Sequence, residues 1–164
     1  MKTIYLSLGS NLGDRAGNLA RGIAALPGRG VRVARQSSVY ETEPVDLRAQ
    51  PWFLNSVVEA ETDLMPRQLL RALVGIEREM GRRRRVPRGP RLIDMDILFY
   101  GSSIIDLSNL EIPHPRLTSR RFVLVPLNEL APTLRHPVQN KTVAELLAET
   151  ADRSQVRLWG TADG

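Results

Sequence analysis

The chain has 164 residues, no cysteine and a formal charge of +5, which fits one domain and excludes a disulfide scaffold or a thiolate metal site. No apolar run approaches the ~18 residues of a membrane span, and the first five residues lead directly into a strand-like segment rather than a signal peptide, so a cytosolic protein is expected. The positive charge favours anionic partners without choosing among nucleotide, nucleic acid and acidic lipid.

In chain order, residues 3–8 alternate as a first strand, and Gly9-Ser10-Asn11-Leu12-Gly13-Asp14 reads as a turn in which Asp14 caps a helix. Leu19, Ile23 and Leu26 mark that helix's apolar stripe and Pro27-Gly28 stops it. A second strand is expected over 31–39, with interruptions, followed by a proline-bounded polar loop at 43–51. A third strand is expected from Trp52 or Phe53 to about Thr62. Pro66 opens a second helix with Leu69, Leu70, Leu73, Ile76 and Met80 at helical spacing, and Gly81 closes it.

Between residues 82 and 91 stand six arginines, and Gly89-Pro90 then breaks the chain ahead of an alternating strand that carries Asp94 and Asp96. A basic run alone reads as a solvated face, and an Asp-x-Asp pair alone as strand-edge chemistry. Their adjacency changes the reading. Residues two apart on a strand share a face, so Asp94 and Asp96 point together while Ile93, Met95 and Ile97 point away. Two neighbouring carboxylates repel, which bound cations relieve, and hard oxygen ligands suit Mg²⁺ that keeps phosphate oxygens as its other ligands. Arginine forks bind those phosphates bidentately. The pattern points to phosphoryl-type transfer.

The order βαββαβ predicts an α+β fold of ferredoxin-like type: an antiparallel sheet with both helices on one face and the other face free for ligands. Beyond it, Gly101-Ser102 forms a turn, Pro113-His114-Pro115-Arg116 a rigid loop, residues 122–130 a helix in a C-terminal extension, and residues from about 150 onward a frayed tail of the single 1–164 domain. There is no P-loop, no GxGxxG after the first strand, and no zinc spacing around the two histidines.

Several segments together resemble the 6-hydroxymethyl-7,8-dihydropterin pyrophosphokinases. They are Leu8-Gly9-Ser10-Asn11-Leu12-Gly13-Asp14-Arg15, Ser38-Val39-Tyr40-Glu41-Thr42-Glu43-Pro44, Phe53-Leu54-Asn55, Gly89-Pro90-Arg91-Leu92-Ile93-Asp94-Met95-Asp96, and Pro113-His114-Pro115-Arg116-Leu117. Arg120-Arg121-Phe122-Val123-Leu124 and Pro126-Leu127-Asn128-Glu129-Leu130-Ala131-Pro132 complete the match. The resemblance implies transfer of diphosphate from ATP to the pterin hydroxymethyl group, giving AMP, with two Mg²⁺ ions on Asp94 and Asp96. It implies Arg82 and Arg91 over the transferred diphosphate, and ATP contacts from Glu77, Arg84, Ile97, His114 and Arg120. It further implies pterin contacts from Thr42, Val45, Phe53, Asn55, Asp94 and Phe122.

Each assignment has a plainer competitor. Phe53 and Phe122 could be core residues, His114 a loop histidine bonded to backbone, and Glu77 a surface partner of an arginine one turn away. Arg88 stands where many members carry an aromatic residue, and Val74 where some carry a polar one. The loops at 43–51 and 81–91 are expected to close over bound substrates. An RNA-binding module or a nucleotide sensor of the same fold is the alternative function. The paired strand aromatics of RNA readers are missing, which leaves a small-molecule enzyme acting as a monomer, without nucleic-acid or membrane partner, as the favoured reading.

Overall fold

Alternation along β1 (Lys2–Ser10) sets the architecture: Ile4, Leu6 and Leu8 face one side, Tyr5, Ser7 and Gly9 the other, and all six are buried or nearly so. A strand covered on both faces belongs in the middle of a sheet. The computed structural model, which describes residues 1–45, 49–81 and 92–160, places β1 between β4 (Phe53–Thr62) and β5 (Asp94–Tyr100), antiparallel to both. With β2 (Val31–Gln36) and β3 (Tyr40–Thr42) paired in succession on β4's other edge, the sheet has the expected ferredoxin-like order.

The expected second strand over 31–39 is divided. Ser37 interrupts it, its hydroxyl accepting from Val57 N at 2.9 Å, and the Glu129 carboxylate accepts from Ser38 N at 3.0 Å and from the Tyr40 hydroxyl at 2.7 Å. The detour bonds the strand to a helix 90 residues away in sequence.

Helices α1 (Arg15–Ala25) and α2 (Pro66–Glu79) cover the Ile4-Leu6-Leu8 face through Leu19, Leu69, Leu73 and Ile76. Asp14 caps α1 as expected, its Oδ1 accepting from Gly17 N at 3.1 Å. The opposite face is not free along its whole length. Helices α3 (Arg121–Leu130) and α4 (Val143–Glu149) pack Val123, Leu124, Leu127, Val143 and Leu146 on Tyr5, Val57, Leu98 and Phe99. Among the described residues, only the end carrying Ser7, Gly9, Asn55, Asp94 and Asp96 is left to ligands.

A β-bulge makes this possible. Tyr5 pairs with Phe99 but Leu6 pairs with Ile97, so Leu98 is surplus, and both Leu98 and Phe99 join the core under α3. A short hairpin, β6 (Ile105–Leu107) and β7 (Leu110–Ile112), follows.

The C-terminal segment departs from the expected frayed tail. Asp152 accepts from Arg121 N at 2.8 Å and Ser154 N at 2.9 Å, and β8 (Val156–Leu158) adds to the sheet edge with Tyr40 opposite Leu158 and Thr42 opposite Val156. An edge strand such as β3 offers unpaired backbone groups that a second strand satisfies.

Among the described residues two buried polar side-chain atoms lack a partner, Asn128 Oδ1 and Ser56 Oγ, the latter on the helix-facing side of β4 between Leu54 and Val58. Removing a buried hydroxyl that makes no hydrogen bond removes a desolvation penalty. Ser56→Ala is therefore expected to stabilise the fold by about 1 kcal/mol, read as a higher denaturant midpoint at unchanged slope.

Candidate active site

The uncovered end of the sheet forms the floor of a cleft of about 400 Å³, a volume suited to a small organic ligand. Strand register defines its chemistry. Asp94 on β5 lies opposite Gly9 on β1, and Gly9 lies opposite Asn55 on β4; one step along, Asp96 lies opposite Ser7. The row therefore reads acid, glycine, amide. Neighbouring strands are roughly 4.8 Å apart, so the acid and the amide stand about 10 Å from one another across bare backbone.

Both aspartates line the cleft; Ile97 buries its side chain in the helix-side core, and Met95, also part of that core, borders the cleft as well. Glu77 is itself buried at 5% exposure, and its Oε2 accepts from Met95 N at 2.8 Å, tying α2 to the strand between the two acids. The reading of Glu77 as a surface partner is thus corrected: it lines the cleft and braces β5. Ile97, expected at ATP, packs its side chain under α1 and α2 because it alternates away from Asp96, and it is not among the lining residues.

At the amide end, Asn55 Nδ2 donates to Thr42 Oγ1 at 2.6 Å, both side chains being almost wholly buried. That bond fixes the amide and aims Oδ1 towards Gly9, where a built Cβ would stand 2.5 Å from it. Phe53, Phe122, Pro44 and Val45 form apolar walls. Arg120 lies over the Phe122 ring, 5.3 Å from its centroid, and with Arg116 makes a cationic rim near the acids, beside His114.

His114 N donates to Leu98 O at 3.1 Å, and its Nδ1 accepts from Arg116 N at 3.1 Å. The backbone-bonded reading therefore holds for one ring nitrogen while the ring still lines the cleft. Burial, reinforced by Arg120 and Arg116 and opposed by Asp94, pushes the imidazole down to about 4. Accepting at Nδ1, the neutral ring carries its proton on Nε2. The unfolded chain binds this proton near pH 6.5 and the folded protein only near 4, so His114 makes stability fall as pH drops through that window. Ring NMR should show His114 titrating near 4; an inflection near 6.5 would contradict the packing.

Arg82, Arg84 and Arg91 lie outside the described residues, as do Arg88 and residues 82–91 of the second loop expected to close, and residues 46–48 of the first. Thr42, Val45, Phe53, Asn55, Glu77, Asp94, Asp96, His114, Arg120 and Phe122 come together around one cleft. Among the residues not anticipated at the site are Gly9, Ser7 and, just behind the cleft, Asn11. Gly9, read as a turn residue, belongs to a strand that runs on to Ser10, and a glycine inside a strand signals close approach of another group. Ser7 lines the floor beside it. Asn11, read as a turn former, is buried and donates through Nδ2 to Gln50 Oε1 at 2.9 Å and Pro51 O at 3.0 Å, tethering the end of the 43–51 loop.

Among the described residues no helix is long and apolar enough to cross a membrane. Comparison with known proteins gives concordant matches. The chain is 40% identical over 149 residues to the 2-amino-4-hydroxy-6-hydroxymethyldihydropteridine pyrophosphokinase of Aquifex aeolicus, covering 91% of this chain and 92% of that protein. It is 41% identical over 161 residues to the enzyme of the same name from Bacillus subtilis, covering 98% and 92%. It is also 42% identical over 151 residues to the folic acid synthesis protein fol1 of Pneumocystis carinii, covering 92% of this chain but only 20% of that longer protein. The fold matches Plasmodium falciparum HPPK-DHPS solved with pterin and p-hydroxybenzoate at a TM-score of 0.71 and 19% identity, over 90% of this chain and 41% of that one. Residues 5–132 match the family described as 7,8-dihydro-6-hydroxymethylpterin-pyrophosphokinase (HPPK), and the chain belongs to that family.

Proposed function

We propose that this protein transfers the terminal diphosphate of ATP to the hydroxymethyl oxygen of 6-hydroxymethyl-7,8-dihydropterin, releasing AMP, as a step of folate synthesis. The observation that carries the reading is the Asp94-Gly9-Asn55 row. It sets a hydrogen-bonding amide about 10 Å, two strand spacings, from a pair of acids, a span that fits a pterin lying flat on Gly9 with its amino-pyrimidinone edge at Asn55 and its hydroxymethyl arm at Asp94. Asn55 Oδ1 and the second Nδ2 hydrogen offer that edge one acceptor and one donor. Phe53 and Phe122 supply the stacking walls, and Thr42 and Val45 the remaining contacts.

The donor set also fits Mg²⁺. Asp94 and Asp96 are hard carboxylates on one strand face, and Mg²⁺ takes one or two such ligands and fills its octahedron with substrate phosphates and water. When bound, two such ions neutralise triphosphate oxygens and stabilise charge on the attacking and leaving oxygens. This chain's own residues do the rest. Arg120, neutral His114 and Glu77 orient the nucleotide, with Arg82, Arg84 and Arg91 in the roles the family resemblance gives them. As the pterin O–Pβ bond forms, the bond between Pβ and the α,β-bridging oxygen breaks and AMP leaves. The hydroxyl proton departs into the acidic wall formed by Asp94 and Asp96. Catalysis is then positioning plus electrostatic stabilisation. In this reading the chain works as one pyrophosphokinase unit, a cytosolic monomer with small-molecule partners.

The test is the nucleotide product formed from ATP, Mg²⁺ and the hydroxymethyldihydropterin. AMP formed one-for-one with pterin diphosphate is expected. ADP would place attack on the γ-phosphorus and overturn the proposal.

A further inference from the structure

We propose that the C-terminal strand acts, from the reverse face of the sheet, as a positioning clamp for pterin recognition, with Arg157 and Trp159 joining Arg15, Glu41 and Trp52 to hold Thr42 and Phe53 in place; this rests on the pterin reading above. None of the five lines the cleft. Thr42 and Phe53 are opposite one another in the last rung of the β3–β4 ladder, beside the 43–51 loop, and both line the cleft. Glu41 and Trp52 are the residues immediately before them, and Glu41 alternates to the other face of the sheet.

There Glu41, its side chain only 13% exposed, pairs with Arg15 Nη1 at 2.9 Å through one carboxylate oxygen and with Arg157 Nη2 at 2.7 Å and Nε at 3.1 Å through the other. Burial works against its charge, and the two arginines outweigh burial, holding the carboxyl below the usual range. Arg15 Nη1 also donates to Trp52 O at 2.8 Å. Each guanidinium is then covered by a tryptophan from the other segment: Arg15 lies 5.1 Å from the Trp159 ring centroid, and Arg157 4.8 Å from that of Trp52. Trp159 N donates to Val39 O at 2.9 Å, and Gln155 and Glu43 exchange two further bonds at 2.9 and 3.1 Å.

Three segments distant in sequence, the start of α1, the rim of the 43–51 loop and the C-terminus, are thus closed around one carboxylate by crossed cation–π stacks. The arrangement also answers why an otherwise exposed three-residue strand is held so tightly. Its anchor points are the backbone positions adjacent to pterin-side residues, so loosening it lets Thr42, and with it the Asn55 amide, drift. It leaves the nucleotide side, built on β5 and the His114 loop, untouched.

The experiment compares Trp159→Ala, Trp159→Phe and Arg157→Gln in the full chain by steady-state kinetics and amide hydrogen exchange. Loss of one cation–π stack is expected to raise KM for the pterin about fivefold while KM for ATP and kcat stay within about twofold, and Trp159→Phe should restore most of the loss. Exchange at residues 41–43 and 52–54 should quicken in Trp159→Ala and Arg157→Gln. An unchanged pterin KM, or equal rises for both substrates, would overturn the clamp. If the unsubstituted protein showed no turnover, the functional reading would fall, and unaltered exchange in both variants would separately sink the clamp.

Discussion

Asp96→Ala is expected to lower kcat by at least ~10³-fold while the protein folds normally. Asp96 stands on the cleft floor opposite Ser7, one step along β5 from Asp94. In the proposed chemistry it shares the ions that screen the triphosphate, so its removal acts on charge that develops only as diphosphate is transferred. In the ligand-free protein the same substitution takes away one of two like charges on a single strand face. Thermal stability without ligand should therefore be unchanged or slightly higher. A variant that unfolds would show that the aspartate is structural; one that keeps more than a tenth of the turnover would place the chemistry elsewhere. Mg²⁺-dependent nucleotide binding, followed by calorimetry, should weaken in parallel.

The second large effect is expected from the smallest change. Gly9→Ala adds one methyl group at the centre of the floor, 2.5 Å from Asn55 Oδ1 and 3.4 Å from the Phe53 ring. Backbone conformation is not the obstacle, since Gly9 lies in regular strand. Space is. To admit the methyl, the Asn55 amide must leave the place fixed by Thr42 Oγ1, which breaks a buried hydrogen bond and withdraws the groups proposed to meet the pterin edge. The methyl also occupies the surface on which the ring would lie. Pterin affinity is expected to fall by about 100-fold, with nucleotide binding retained because the proposed ATP side lies beyond Asp94. Direct titration with each substrate decides this. Equal weakening of both would mean that the methyl distorts the whole sheet rather than the amide end.

The legibility of the site in the sequence follows the range of the interactions involved. Asp94 and Asp96 are readable because a strand's two-residue period is local and a Gly-Pro break marks where it starts. Gly9 was missed for the complementary reason: a glycine beside Asn-Leu-Gly-Asp resembles turn chemistry, and only pairing with Asn55, 46 positions away, reveals its use. Ile97 shows a different limit of range: a role carried over by likeness names a position, while alternation decides where its side chain goes, here into the core. The six-element core order was legible from hydrophobic spacing. That α3 and α4 would cover half of the second face was not, since spacing shows that a helix has an apolar side but not which surface receives it. Nor could a three-residue strand such as β8 announce itself, being too short to display a period.

The surplus residue in β5 has a consequence for comparing this chain with its relatives. Up to Ile97 even-numbered side chains meet the cleft; past Leu98 the parity inverts, so Phe99 sits under α3 while Tyr100 turns to the opposite layer and donates its hydroxyl to Leu64 O at 2.5 Å. The cleft-lining and architectural halves of one strand are therefore indexed by different rules. An alignment that opens a gap between Asp96 and Phe99 would still superpose apolar on apolar residues, yet would assign every position beyond it to the wrong side of the sheet. Anchoring homologues separately on the acids and on the aromatic pair avoids that error, and a relative lacking the extra residue should be recognisable by a hydrophobic pattern shifted by one.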